Sequence, residues 1–298
     1  MKYGSGAAFR RALEDRFRAR SLNSGVPLVR LRKMVAFDRF LARLFLRQTG
    51  KWIVKGGFAL QLRLGDRART TKDIDMLVLT QQQEIYPALR QAGYLDLGDW
   101  FSFDVADSDV GDGTEHTPKD FGGIRYRLQV LLDGRTFEKF HIDIGVGDLL
   151  IDPVEHLKTP AVLAFAGLEP TLVPCYSITQ QIAEKLHAYS RPYVSGQSTR
   201  IKDFVDILLL AELGAIDGKS MFSAIETTFN IRKTHVTPTR LPPPPREWSR
   251  PIRRMADEVG SSYASLNEAN EAIEQFLNPL LSGKKVGTWD PSMWSWIV

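Results

Sequence analysis

The chain has 298 residues, a formal net charge of +4 and a hydrophobic share of 43%, enough to fill one large core or two smaller ones. No apolar run approaches the ~18 residues that span a bilayer, the N-terminus is too charged for a signal peptide, and a lone cysteine, Cys175, excludes an internal disulfide framework and a cysteine-based zinc site. The expectation is a soluble, cytoplasmic protein with no membrane partner.

Residues 8–48 read as helices, because Leu31, Met34, Val35, Phe37, Phe40, Leu41, Leu44 and Phe45 recur mostly at three- and four-residue spacings. From 51 to 150 short strands mix with helices. Trp52–Val54 is a strand, Phe58–Leu64 a helix, Ile74–Leu79 a strand and Glu84–Ala92 a helix closed by Gly93. Residues 104–120 are acidic and glycine-rich and read as a loop. Arg125–Leu131 and Phe140–Ile144 read as a hairpin turning at Asp133-Gly134. After Asp152-Pro153 the pattern is mostly helical, clearest at 178–189, 201–213 and 266–281. Ser177 and Gln180 have capping-box spacing at the start of the first. The expected architecture is therefore a mixed α/β (α+β) core with helical material on both sides. It divides into an N-terminal lobe of residues 1–152, made of helices to 50 and a core over 51–152, and a mainly helical lobe over 153–298.

Charge is distributed unevenly. Residues 1–50 hold twelve Lys or Arg against three acids, among them Arg10, Arg11, Arg16, Arg18, Arg20, Arg30, Arg32 and Lys33. A second basic group, Arg232, Lys233, Arg240, Arg246, Arg250, Arg253 and Arg254, brackets the tetraproline Pro242–Pro245. Each group alone reads equally well as a solvated helix face or a phosphate-facing surface; two of them around a carboxylate site favour a nucleic-acid substrate. Trp289, Trp294 and Trp296 read as a packed tail or as a base-stacking platform.

The chemistry centres on Gly56-Gly57, fifteen intervening residues, and Asp73-Ile74-Asp75. Carboxylates at i and i+2 at the head of a strand point to one face, where they can share divalent metal ions, and a Gly-Gly turn lets bare backbone N–H groups reach a phosphate. In His141-Ile142-Asp143-Ile144 the isoleucines share one face, so Asp143 emerges on the other with His141. Asp73, Asp75 and Asp143 together could hold two Mg²⁺ ions against a triphosphate and an attacking hydroxyl, or Asp143 could be an exposed edge-strand residue. Downstream, Asp203 and Asp206 share a helix face at i and i+3 on an apolar helix, and Lys185 on the preceding helix is their partner, a triphosphate ligand, or both. Thr71 precedes Asp73 by two residues; phosphorylation would add nearly two negative charges beside the carboxylates, making Thr71 a candidate regulatory site.

Gly56-Gly57, Asp73-Ile74-Asp75 and a later Asp143 resemble the minimal pattern of the DNA polymerase β-like nucleotidyltransferase superfamily. With Arg69-x-Thr71-x-Asp73-Ile74-Asp75, Ile142-Asp143-Ile144, the Lys185 helix and Arg200-x-Lys202-Asp203-x-x-Asp206, residues 50–210 resemble more narrowly the AbiEii/AbiGii toxin nucleotidyltransferases, which include the mycobacterial MenT toxins. The resemblance implies a bilobed protein that uses Mg²⁺ and a nucleoside triphosphate to add nucleotides to the 3′ end of tRNA. Translation would stop, and a cognate antitoxin protein would relieve the block. It implies Asp73 and Asp75 as metal ligands, Asp143 as the carboxylate that activates the hydroxyl, Gly56 and Gly57 as the phosphate turn, and Lys185 as the triphosphate ligand held by Asp203 or Asp206. Two alternatives use the same residues differently. A small-molecule nucleotidyltransferase of the aminoglycoside type would not depend on added RNA, and a non-catalytic RNA-binding protein would bind without Mg²⁺.

Overall fold

The computed structural model describes residues 1–106, 123–145, 149–151, 153–192, 198–263 and 265–297. Contacts divide the chain into two compact units, one of residues 1–66, 70–150 and 154–175, the other of 67–69, 151–153 and 176–298.

In the first unit the elements run α1 (Gly6–Ser24), α2 (Leu28–Arg47), β1 (Trp52–Lys55), α3 (Gly56–Leu64), β2 (Ile74–Val78), α4 (Gln82–Tyr94), β3 (Phe101–Val105), β4 (Ile124–Leu132), β5 (Arg135–Gly145), β6 (Glu155–Lys158) and β7 (Leu172–Cys175). The strands form one seven-stranded sheet in the order β3-β4-β5-β2-β1-β7-β6. β2 with β5 and β1 with β7 are parallel, and the other neighbours are antiparallel. The unit runs past residue 152 because β6 and β7 return to this sheet. At four residues each, they are too short to give a clear period of two.

α1 starts at Ser5, whose hydroxyl accepts from Ala8 N–H, and stops where Gly25 takes a left-handed φ of 71°. α2 carries the apolar stripe that packs on the sheet. Phe37 sits edge-on to Phe58 and Phe140, at ring separations of 5.0 and 4.9 Å, and Phe40 meets Phe103 at 5.3 Å. Each fully buried ring of this kind contributes roughly 1.5–3 kcal/mol. The same helix buries Arg43 completely, and its guanidinium forks onto buried Asp99 at 3.0 and 2.5 Å and donates to the carbonyls of Leu95, Arg39 and Phe101. Every charge in that pair is met, as burial requires.

The β4–β5 hairpin turns at Asp133 and Gly134, with φ of 53° and 69°, the geometry of a type I′ turn. A bulge between Val130 and Leu131 then shifts the register by one residue. It brings Arg125 opposite Asp143; the turn alone would have set Arg125 opposite Ile142, on the wrong face. Gly93 does not close α4 as expected, since the helix continues through Tyr94 and is capped at Leu95. Gly93 packs instead against the backbone of β3: a Cβ there would lie 2.7 Å from the Phe103 carbonyl oxygen. The loop expected over 104–120 begins inside β3 and from 107 onward lies outside the described residues.

The second unit contains α5 (Ile178–Ser190), α6 (Ile201–Ala211), β8 (Ile216–Asp217), α7 (Gly218–Arg232), α8 (Ser249–Val259), α9 (Leu266–Leu281), β9 (Thr288–Asp290) and β10 (Ser295–Ile297). Ser177 caps α5 through Gln180 N–H, while the reciprocal capping box belongs to Ser265 and Glu268 at α9. The tryptophans form a packed tail: Trp289 is fully buried against Phe276, and the indole N–H groups of Trp294 and Trp296 donate to the carbonyls of Ala272 and Phe276 on α9. Among the described residues no helix is long and apolar enough to cross a membrane.

Candidate active site

In the first unit the site grows from the parallel pairing of β2 and β5. Ile74 and Met76 on one strand, and Ile142 and Ile144 on the other, are at most 1% exposed and anchor both strands in the core. Alternation then turns Asp75 and Asp143 to the opposite face, and the register sets them side by side. Asp73, just before β2, accepts from the backbone N–H of His141 at 3.3 Å, and its Oδ1 lies 3.2 Å from His141 Nδ1. Thr71 is 8% exposed, and its hydroxyl donates to the carbonyl of Asp73 at 3.2 Å, fixing the approach to the strand.

On the other side of β2, β1 pairs Lys55 with Asp75, so the chain enters α3 next to that carboxylate. Gly56 has φ of 62°, and a Cβ there would come within 2.1 Å of Asp75 Oδ2. Gly57 N–H donates to the same oxygen at 3.4 Å, so Asp75 sits at the N-terminus of a helix that lacks a side-chain cap of its own. The need for glycine at 56 is therefore explained by close approach to Asp75. In this arrangement the carboxylate takes the place at the turn that a phosphate was expected to fill.

Asp143 is forked by Arg125, with Nε and Nη2 at 2.6 and 2.7 Å from its two oxygens. The bond to Asp143 holds the Arg125 guanidinium charged more firmly than a free arginine; burial opposes this, and Asp143, Asp73 and Asp75 add to it through their charges. Three carboxylates on one face repel one another, and Arg125 offsets part of that repulsion. The donors fit a hard divalent cation in kind, since Asp73 and Asp75 offer carboxylate oxygens. As described, however, no three acid, histidine or cysteine groups converge into a metal-holding cluster among the described residues, and Asp143 would have to give up its fork to join one.

The second unit gathers the downstream residues. Lys185 on α5 donates to Asp206 at 2.6 Å and to Asp203 at 3.2 Å, so both acids hold it where the sequence left the choice open. Asp206 is fully buried and also takes a double hydrogen bond from Arg69, 2.9 Å at each oxygen. Burial alone would lower the Lys185 pKa, but Asp206 and Asp203 outweigh it and hold it above its ordinary value. The mirror argument applies to Asp206: burial pushes it up, and Lys185 with Arg69 brings it below the usual carboxylate range. Breaking such a buried pair from one side costs about 3–5 kcal/mol.

Two partners carried no assigned role in the sequence reading. Arg69 was legible as part of the motif, but its bond to Asp206 spans 137 residues. Arg125 required the bulge. The N-terminal basic group is used differently from the expectation. Arg10 and Arg30 donate to backbone carbonyls, Arg16 stacks over Phe165 at 3.9 Å, Arg18, Arg20 and Arg32 pair with Asp15, Asp66 and Glu14, and Lys33 meets Glu138. Seven of the eight cations named in that group are met within the first unit, Arg18 only by an exposed pair, while Arg11 is exposed.

A family profile described as the nucleotidyl transferase AbiEii toxin of type IV toxin–antitoxin systems matches residues 39–283. The chain belongs to the AbiEii family. It is thus a nucleotidyltransferase toxin of the type IV kind, with a nucleotide substrate and a cognate antitoxin. The AbiEii chain is similar in structure to MenT4, a nucleotidyltransferase toxin of Mycobacterium tuberculosis H37Rv, with a TM-score of 0.54 and 18% identity over 94% of this chain and 92% of that one. That likeness bears on the fold alone. The JHP933 protein of Helicobacter pylori aligns with a TM-score of 0.44 and 12% identity over 84% of this chain and 94% of that one, too low to carry an argument. No curated protein sequence matches the AbiEii chain significantly.

Proposed function

We propose that this AbiEii toxin adds nucleotides from a nucleoside triphosphate to the 3′ acceptor end of tRNA, using Mg²⁺, and so blocks aminoacylation and translation in the cytoplasm until its antitoxin intervenes. The observation that carries the reading is the side-by-side placement of Asp75 and Asp143, with Asp73 at the strand head and the Gly56-Gly57 turn against Asp75. Asp73 and Asp75 would hold the cation, which when bound supplies charge neutralisation for the triphosphate. Asp143, released by Arg125, takes the proton of the attacking 3′-hydroxyl. Lys185 contributes an ammonium to the triphosphate, with Asp203 and Asp206 setting its position, and pyrophosphate leaves. Positioning and charge neutralisation supply most of the rate in such a transfer. Phosphorylation at Thr71 would displace its hydroxyl from the Asp73 carbonyl and crowd the acids with negative charge, silencing the site.

Incubating the protein with total tRNA, Mg²⁺ and each labelled triphosphate in turn tests the reading: one triphosphate should label tRNA, and chelation should abolish the label. Asp75→Asn should reduce transfer by at least ~100-fold with the fold intact, because it removes a charged ligand and no core group. An active Asp75→Asn protein would sink the assignment. Transfer to a small acceptor without RNA would replace it with the small-molecule reading. Mass spectrometry of the protein isolated with its antitoxin checks Thr71.

A further inference from the structure

α8 is a short amphipathic helix whose two faces are cleanly separated. Ile252, Ala256 and Val259 are buried, and the exposed side presents Arg250, Arg253 and Arg254 at i, i+3 and i+4, with exposed Arg246 in the turn before. Among the described residues none of these four arginines is held in an ion pair, unlike Arg232 with Glu184 and Arg240 with Glu274 in the same unit. The charges also run against the helix: the first turn of α8 carries no acid, while Asp257 and Glu258 come in its last turns. The macrodipole favours the opposite order, and although Arg253–Asp257 and Arg254–Glu258 stand at the i, i+4 spacing that can support a helix, neither arginine is held in an ion pair among the described residues.

The helix is held firmly. Trp248 at its start is buried between Tyr189 and Phe204, at ring separations of 6.1 and 6.0 Å, and the proline run before it is pinned by Tyr189 Oη–H donating to the Pro242 carbonyl and Leu241 N–H donating to Asn278. Arg250 lies about 4.5–6 Å along the axis from the adjacent Arg253 and Arg254, a spacing that suits neighbouring phosphates of one strand, with each guanidinium able to fork a phosphate.

We propose that Arg246, Arg250, Arg253 and Arg254 form a backbone-binding stripe for the RNA substrate, indifferent to base sequence. The assignment rests on the reading of the acceptor as RNA. It favours a polynucleotide over a membrane because the exposed face of α8 carries charge with Pro251 as its one exposed apolar side chain, Ile252, Ala256 and Val259 being buried and Met255 partly so. Of the two basic regions, it selects the late one, since most of the early one is engaged within the first unit.

The test is fluorescence anisotropy of a fluorescein-labelled mixed-sequence RNA hairpin between 50 and 200 mM NaCl. It compares the wild type, the triple variant Arg250→Gln, Arg253→Gln, Arg254→Gln, and a charge-matched control, Arg11→Gln, Arg18→Gln, Arg20→Gln. The α8 triple should weaken binding by roughly 10–100-fold at 100 mM NaCl and flatten the log–log salt slope by about 2–3, one unit per lost phosphate contact. The control should move both far less. Equal binding by the α8 triple, an equal loss in the control, or wild-type binding to polyglutamate or to anionic phospholipid vesicles as tight as to RNA would each overturn the stripe. The transfer assay separates this from the functional reading. Selective loss of binding in the α8 triple together with no nucleotide transfer to RNA keeps the stripe as an RNA-binding surface and removes tRNA as the acceptor. Transfer to tRNA with unaltered binding by the triple does the reverse.

Discussion

At the scale of single residues the candidate site is governed by how closely groups approach Asp75. Its carboxylate lies where a Cβ on residue 56 would be, and Gly56 has a left-handed φ. Gly56→Ala therefore combines about 1–2 kcal/mol of backbone strain with a direct overlap. The expected outcome is a protein with a lower urea midpoint and no detectable nucleotide transfer; an alanine variant with wild-type activity would show that Asp75 can leave this position at no cost to its role. Residue types and spacing singled out Asp73, Asp75, Asp143, Lys185, Asp203 and Asp206 as candidates because strand and helix periodicities put each on a definite face. What those faces meet was not legible. Arg125 reached Asp143 only because a bulge slipped the strand by one residue, and no residue at Val130-Leu131 announces a bulge.

At the scale of elements, the long and strongly patterned segments were readable and the short ones were not. The helix expected over 266–281 spans Leu266–Leu281, and the turn at Asp133-Gly134 joins β4 and β5. β8, β9 and β10 have only two or three residues each, so their pairing follows from where the chain is carried by α7 and α9. α4 shows how tertiary packing overrides a local rule. A glycine near a helix end commonly caps it, yet Gly93 is there because β3 passes too close for a Cβ. In an ordinary helix interior Gly→Ala gains about 1 kcal/mol. Here the neighbour is backbone and cannot step aside, so Gly93→Ala should instead destabilise by about 1–3 kcal/mol. Chemical denaturation decides the sign, and a stabilised variant would refute the packing account.

At the scale of the whole molecule, stability depends on pH chiefly through buried groups in the second unit, with Cys175 of the first unit acting at alkaline pH. Burial is the main reason that His187 is pushed down from 6.5 to about 3, with Arg232 and His235 adding to the effect. An imidazole whose pKa falls on folding contributes stability that is complete above about 6.5 and drains as the pH drops towards 3, because the unfolded chain takes the proton first. Asp206, also depressed, adds a loss at lower pH, below the ordinary carboxylate range. Lys185 acts at the other end: its raised pKa gives stability present below its ordinary 10.5 and lost only as the pH climbs beyond it. Cys175, whose thiol burial pushes up from 9.0 to about 12, costs stability once the pH passes about 9, so the urea midpoint should be level between roughly pH 7.5 and 8.5 and fall below about 6.5 and above about 9. His187→Gln, which keeps a hydrogen-bonding side chain near Thr234, should remove the first stage of the fall on the acid side. If the decline persists unchanged, another group is responsible.

The last residue of β7 offers a different use of the fold. Cys175 is fully enclosed between Val54 and Glu155, and burial pushes its thiol up to about 12. A disulfide reagent added to native protein at neutral pH therefore has nothing to attack until β7 comes out of the sheet. The chromophore released by that reagent becomes an intrinsic stopwatch, recording each excursion without any label being introduced. Its rate should rise steeply with urea if the whole first unit must open, and hardly at all if only the sheet edge frays.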